Sequence, residues 1–386
     1  MKDDTKLIHE GRTTYDHVGA VNTPVYHAST ILFPTMEKYL SRSTDPSVKV
    51  RYGLRGTPTT FSLEDALTAL EGGFGTVLSP SGLQAITMAI MSYVETGDHI
   101  LVTDSTYSPC RAFCDNVLAK LGIETEYYDP LIGADIKDLL RTNTKIVWTE
   151  SPGSQTFEVQ DIPAIAAAAH EVGAIVMIDN TWSAGYYFKA LEHGVDVSVH
   201  ASTKYHGGHS DVMMGAIICN EHTYDRIKTI SGSFGNHAGP DDVYLTLRGL
   251  RSMGTRMDRQ YKNGLEIARW IAEQPAVTRV MHPGLETDPG HAIWKRDFTG
   301  ASSLFGFVVE ETNQKKVGAF LDGMEFFGMG SSWGGFESLL IPCFPDANRT
   351  VTDWNPCGQT LRIHIGLEDP SDLIADLEKG LKRMTN

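Results

Sequence analysis

The sequence predicts an α/β fold, with a mostly parallel sheet of about seven strands covered on both faces and a smaller α+β domain at the carboxyl end. Three observations predict it. From about residue 56 to 250, short runs rich in β-branched residues alternate with segments of helical spacing. Several runs, 174–178 above all, are apolar throughout instead of alternating, as strands buried on both faces must be. Beyond about 250 the texture shifts to a long helical segment, shorter strand candidates and a closing helix.

Size and composition set the bounds. At 386 residues, 41% hydrophobic and 21% charged, the chain can build two substantial cores and is neither disordered nor fibrous. A net charge of -15 with no basic stripe argues against nucleic-acid and anionic-membrane partners. The start, Met1-Lys2-Asp3-Asp4-Thr5-Lys6, lacks the apolar core of a signal peptide, and no apolar run approaches the roughly 18 residues of a membrane span. A cytoplasmic location is expected. Five cysteines, an odd number, fit a reducing compartment, and Cys110 and Cys114 read as small core-facing residues, not a metal or redox pair.

In order along the chain, residues 1–55 carry Thr, Ser, Pro and isolated aromatics without sustained periodicity. They predict an extended arm lying on a neighbouring subunit. Residues 56–250 form the large domain, opening with a helix over 61–71 capped by Ser62 and stopped by Gly72-Gly73. Strands are expected at 76–78, 99–103, 125–128, 145–149, 174–178, 195–199 and 216–219, with helices at 83–93, 111–121 and 162–170 between several of them. Residues 251–386 form the small domain: a helix over 258–273 ending before Pro275, strands at 304–309 and 361–365, and a last helix over 373–383. Neither repeat nor linker interrupts the chain, so the two domains should be packed together.

Two strand ends carry the chemistry. The run 195–199 leads into His200-Ala201-Ser202-Thr203-Lys204-Tyr205-His206-Gly207-Gly208-His209, which places Lys204 just past a strand. Ligands of open α/β sheets bind beyond the carboxyl ends of the strands, which makes Lys204 a candidate nucleophile. The apolar run 174–178 delivers Asp179 to the same edge, because 184–194 is long enough for a crossover within one βαβ unit of about 30 residues. An amine and a carboxylate on that edge are what pyridoxal phosphate requires, one for its aldehyde and one to keep its ring nitrogen protonated.

Other motifs fit around this pair. Ser79-Pro80-Ser81-Gly82-Leu83-Gln84, between a strand and a helix, suits a phosphate. A dinucleotide fingerprint is not supported, because Gly73-Phe74-Gly75 would need a third glycine at Leu78 and Gly328-Met329-Gly330 one at Trp333. Tyr107 follows the strand ending near Thr103, either to stack on a planar cofactor or to pack as a loop wedge. His200, His206, His209 and Asp211 offer metal ligands but lack a zinc framework. Arg362 and His364 share one face of a strand, where the guanidinium either captures a substrate carboxylate or is a surface charge. Ser331-Ser332-Trp333-Gly334-Gly335 either lines a pocket or turns the chain.

Asp179-Asn180-Thr181, Ser202-Thr203-Lys204, Tyr52-Gly53 with Arg55-Gly56-Thr57-Pro58-Thr59, and Leu361-Arg362-Ile363-His364-Ile365-Gly366-Leu367-Glu368-Asp369 together resemble the cysteine and methionine metabolism family of pyridoxal phosphate enzymes. The likeness runs from Thr5-Lys6-Leu7-Ile8-His9-Glu10-Gly11 to the final helix. Within the family, Glu150-Ser151-Pro152-Gly153-Ser154 has Gly-Ser where γ-acting members usually carry Thr-Asn, and Lys295-Arg296-Asp297-Phe298-Thr299-Gly300 and Ser332-Trp333-Gly334-Gly335 are similar to the bacterial β-lyase branch.

The resemblance implies the aspartate aminotransferase-like fold, type I, and a homotetramer built as a dimer of dimers with shared active sites. It implies that Lys204 joins the cofactor aldehyde, Asp179 pairs with the ring nitrogen, Tyr107 stacks on the ring, and Gly82, Leu83 and Thr203 hold the phosphate. Tyr52 would reach in from the adjacent subunit, and Arg362 would bind the substrate α-carboxylate near Ser332 and Trp333. Two departures are visible: Leu54 stands where the family usually has arginine, with Arg55 as the candidate to compensate, and Ala201 replaces the usual serine. The implied reaction is β-elimination of L-cystathionine to homocysteine, pyruvate and ammonia. The alternatives are γ-elimination or γ-replacement, cysteine desulfhydration, alanine racemisation, and a non-catalytic regulatory protein on the same fold.

Overall fold

A computed structural model describes residues 1–385. The first sheet comprises β1 (Gly75–Ser79), β2 (His99–Thr103), β3 (Glu124–Tyr128), β4 (Thr144–Glu150), β5 (Ile175–Asp179), β6 (Val197–His200) and β7 (Gly215–Cys219). Their order is β1-β7-β6-β5-β4-β2-β3. Only β7 runs against the rest, so the carboxyl end of β1 shares an edge with those of β2 to β6. The apolar runs have the expected cause: Val147, Val176 and Ile178 enter one buried cluster while Ile146, Trp148 and Met177 enter the cluster on the opposite face.

Helices Gly82–Met91 and Ile162–Glu171 follow β1 and β4 as expected. Three expectations need correction. The first long helix spans Pro58–Glu71 and is capped by Thr57 in a reciprocal box with Thr60; Ser62 lies inside it, its hydroxyl 2.8 Å from that of Thr23. Proline in the first turn, with φ already set for a helix, moves the start upstream of the expected cap. The β5 to β6 connection contains only a 3₁₀ turn, Ala190–His193, because Gly185 and Gly194 take positive φ on either side of it. The arm is not wholly extended: helix Asp3–His9 buries Leu7, and Arg251 donates to the carbonyls of Leu7 and Glu10 at 2.6 and 3.0 Å. Further along the arm, Tyr15, Val18, Leu32 and Met36 remain exposed.

The second sheet is antiparallel, with β8 (Val277–Met281), β9 (Leu304–Val309), β10 (Leu339–Cys343) and β11 (Gln359–His364) in the order β10-β11-β9-β8. Its core is shared with helices Met253–Ala272, Gln314–Asp322 and Pro370–Thr385. The strand β10 carries Pro342, which an edge strand tolerates because one side of its ladder needs no donor.

The two sheets are tied by Asp104, just beyond β2. Its buried carboxylate accepts from the backbone amides of Thr350, Val351 and Thr352 at 3.0, 3.1 and 2.9 Å and pairs with Arg111 at 2.6 Å. Burial alone would raise the Asp104 pKa; these bonds outweigh it and hold the value below 3.8. Asp104→Ala should cost about 3–5 kcal/mol, since Arg111 and three amides lose their acceptor. Because the folded value is depressed, the contribution is present above the unfolded pKa near 3.8 and is lost as pH falls through the folded value. Thermal denaturation of the variant against the parent from pH 7 to pH 3 should show the gap closing only at the acid end.

Candidate active site

The sheet edge assembles the site. Parallel pairing sets Met177 beside Val197 and Asp179 beside Val199, and the amide of Asn180 donates to the Val199 carbonyl at 2.9 Å. Asp179 ends β5, and Lys204 follows four residues beyond the end of β6 at His200. The Asp179 carboxylate is 9% exposed and takes the amide of Thr181 at 3.1 Å. Burial raises its pKa; bonds from Thr181 and the charges of His200 and Lys204 act against the rise.

Lys204 reaches across to the second sheet. Its Nζ donates to the Ser332 hydroxyl at 2.7 Å and lies 5.3 Å from the Trp333 ring centre. Gly334, at φ 83, brings that loop against the backbone of Lys204 and Tyr205, where any side chain would crowd it. Burial, then the neighbouring Arg362 charge, pulls the amine pKa down to about 8. Arg362 sits on β11, donates to the carbonyls of Ser331 and Ser332 at 2.9 and 3.2 Å, and pairs with no carboxylate among the described residues. His364, on the same face of β11, accepts the Gly334 amide at 3.1 Å. The Ser331–Gly335 loop therefore lines the site.

Tyr107 caps helix Ser108–Phe113 and is 43% exposed at the same edge. Its amide donates to Glu150 at 2.6 Å. Glu150 was not singled out as a site residue from the sequence, although it is the last residue of β4 and pairs in register with Asp179. Burial, then the Asp179 charge, pushes the Glu150 carboxyl well above the usual carboxylate range.

Gly82 and Leu83 open helix Gly82–Met91, where Ser81 accepts the Gln84 amide at 3.1 Å. Their own amides have no partner among the described residues. A side chain at Gly82 would strike Ala201, so the small residue at Ala201 and the missing one at Gly82 fit each other. The Thr203 hydroxyl bonds to the backbone of Met214, accepting its amide at 2.9 Å. Tyr52 and Arg55 are exposed, and neither side chain hydrogen-bonds within the chain; the Arg55 guanidinium lies against Gly232. The histidines do not gather as metal ligands: His200 bonds to Glu71, His206 to Ser202 and the Ala184 carbonyl, and His209 to the Gly207 carbonyl.

Residues 4–382 match the family of Cys/Met metabolism PLP-dependent enzymes. The chain belongs to that family. Cystathionine beta-lyase MetC of Escherichia coli K12 is 46% identical to it over 391 residues, covering 99% of each chain. Cystathionine beta-lyase of Salmonella typhimurium LT2 is 45% identical over 389 residues, covering 99% of this chain and 98% of its own. The crystal structure of metB from Corynebacterium glutamicum aligns with a TM-score of 0.90 at 28% identity, covering 100% of this chain and 98% of that one. The fold is thus the type I fold of pyridoxal phosphate enzymes.

The residues present fit that cofactor. Asp179 is a buried carboxylate with no cation at hydrogen-bond distance, as a site for a protonated ring nitrogen must be. The free amides of Gly82 and Leu83 at a helix start fit a phosphate.

The rate at which cofactor-free protein takes up pyridoxal phosphate should rise with pH and level off above about 8, because only the uncharged Lys204 amine reacts. Stopped-flow absorbance checks this, and borohydride reduction followed by peptide mapping should place the label on Lys204. Label on another lysine would overturn the assignment.

Proposed function

We propose that this chain catalyses the β-elimination of L-cystathionine to homocysteine, pyruvate and ammonia. The observation that carries the reading is the Lys204 amine, held by Ser332 within the fields of the Asp179 carboxylate and the Arg362 guanidinium, which pairs with no carboxylate among the described residues. The names of the enterobacterial relatives support it.

When bound, the cofactor supplies an electron sink for the carbanion formed at the substrate α-carbon. Gly82, Leu83 and Thr203 would hold its phosphate, Tyr107 would stack on its ring, and Asp179 would keep its ring nitrogen protonated. Arg362 clamps the substrate α-carboxylate, a bidentate role for which its fork geometry is suited. Lys204 would hold the cofactor aldehyde until substrate binds, and its Nζ would then accept the α-proton and carry it as an ammonium toward the departing sulfur. Ser332 orients that amine, and Trp333 shields it from water. Tyr52 would enter from the adjacent subunit of a homotetramer, a dimer of dimers, with the exposed apolar side chains of the arm covered there; Arg55 would supply the charge that Leu54 lacks. Cys110, Cys114, Cys219, Cys343 and Cys357 are all unpaired, which supports a reducing, cytoplasmic setting.

The intact set of Lys204, Asp179, Tyr107 and Arg362 counts against a non-catalytic role, for which no physical need would hold all four. Ser154, in the place where γ-acting members carry asparagine, and the Trp333 loop favour the β-carbon over the γ-carbon by changing how the distal arm sits. Supplied with cystathionine, the loaded enzyme should release pyruvate and homocysteine; mainly 2-oxobutyrate and cysteine would make it a γ-lyase. Asp179→Asn should lower the rate at least several hundredfold, because the ion pair it makes is worth several kcal/mol at about tenfold per 1.36 kcal/mol. Near-normal rates in that variant would make Asp179 structural.

A further inference from the structure

Behind the sheet edge, one carboxylate oxygen ties together the two strands that carry the chemistry. Glu71, the last residue of helix Pro58–Glu71, is 1% exposed. Its Oε1 accepts from Asn180 Nδ2 at 2.6 Å, Ser198 Oγ at 3.0 Å and His200 Nε2 at 2.9 Å. Asn180 directly follows Asp179 at the exit of β5, and His200 ends β6 just before the Lys204 loop. The other carboxylate oxygen of Glu71 and Nδ1 of His200 are buried without partners.

The charges around this cluster decide its ionisation. The His206 ring lies 4.9 Å from that of His200, but both its nitrogens are committed, Nδ1 to the Ser202 hydroxyl at 2.8 Å and Nε2 to the Ala184 carbonyl at 3.1 Å. Such bonding suits a neutral ring, and burial pushes its pKa down to about 3. Lys189 also faces Glu71 but donates to the carbonyls of Leu70 and Gly185, both at 2.7 Å, and is matched by Asp3 at 3.0 Å. Asp179 and Lys204 are the remaining charged neighbours, on the cofactor side. Of the three donors on the Glu71 oxygen, only His200 can carry a positive charge, and a buried carboxylate without a counter-charge is costly. Burial would raise the Glu71 pKa; the His200 charge and the three donors more than reverse it.

We propose that Glu71 and His200 form a buried ion pair that positions Asp179 and Lys204, the carboxylate fixing the two strand exits and the imidazolium charge keeping Asp179 anionic for the cofactor ring. The inference rests on the role assigned to Asp179 above. Glu71 and His200 are both 1% exposed and act only through their neighbours.

Two variants test it. His200→Gln keeps an amide donor toward Glu71 and removes the charge; Glu71→Gln keeps the size and removes the counter-ion. In each, cofactor dissociation should become about tenfold more favourable. In His200→Gln the pH at which the visible absorption of the loaded protein changes should rise by about half a unit or more, since removing a nearby positive charge favours the protonated cofactor, whereas Glu71→Gln, which removes a negative charge, is read by cofactor affinity. The double variant should be no worse than either single one, as members of one coupled unit are not additive. Unchanged affinity and midpoint with a lowered melting temperature of cofactor-free protein would mean the pair is structural only, and additive losses would mean the two residues act separately; either result overturns the proposal. Should Glu71→Gln fail to fold, the midpoint in His200→Gln decides alone. Asp179→Asn run in the same assays separates the two readings: a normal cofactor affinity and midpoint there defeats the role of Asp179, whereas a loss there with no effect at Glu71 and His200 defeats only the ion pair.

Discussion

The parallel pairing of β5 with β6 is the constraint on which the site depends. Registering Asp179 against Val199 puts a carboxylate and a lysine loop on one edge, and every other functional group is positioned relative to that edge. The pairing itself is enforced from both faces by apolar burial, each fully buried aliphatic side chain contributing about 1.5–3 kcal/mol. The 3₁₀ turn between the two strands shows that a helix is not what aligns them. The sheet and its two cores do so.

Electrostatically the edge is a balance of opposed, half-solvated charges. Asp179 crowds Glu150 and Arg362 crowds Lys204, so burial and like-charge repulsion push the Glu150 carboxyl up and the Lys204 amine down. On the proposed reading, a cationic ring nitrogen beside Asp179 and an anionic substrate carboxylate beside Arg362 would relieve both conflicts, so the site would be unfavourable in isolation because it is complementary to what it binds.

Much of this was legible in the sequence. The strands of the first sheet announce themselves as continuous apolar runs, and the period of two on β11 puts Arg362 and His364 on one face, where both bond to the Ser331–Gly335 loop. What escaped has physical reasons. The edge strand β10 hides behind Pro342, and β8 behind the exposed Thr278 and Arg279. Acidic residues at element ends, Glu71 and Glu150, look like solvent-facing charges until the tertiary structure buries the first and half-buries the second. The crossover and the helix cap were misplaced because local glycines and Pro58 outweigh general propensity.

The contact between Lys204 and Ser332 joins groups contributed by different sheets. On the reading proposed above, cofactor retention lies mainly with the first sheet, at Gly82, Leu83, Asp179 and Thr203, and recognition of the amino acid with the second, at Ser332, Trp333 and Arg362. Selection can therefore leave the contacts of Gly82, Leu83 and Asp179 in the first sheet in place while revising which amino acid is accepted by changing Trp333 and the strand around Arg362. Lineages diverging in substrate from a common ancestor of this fold would be expected to differ there first.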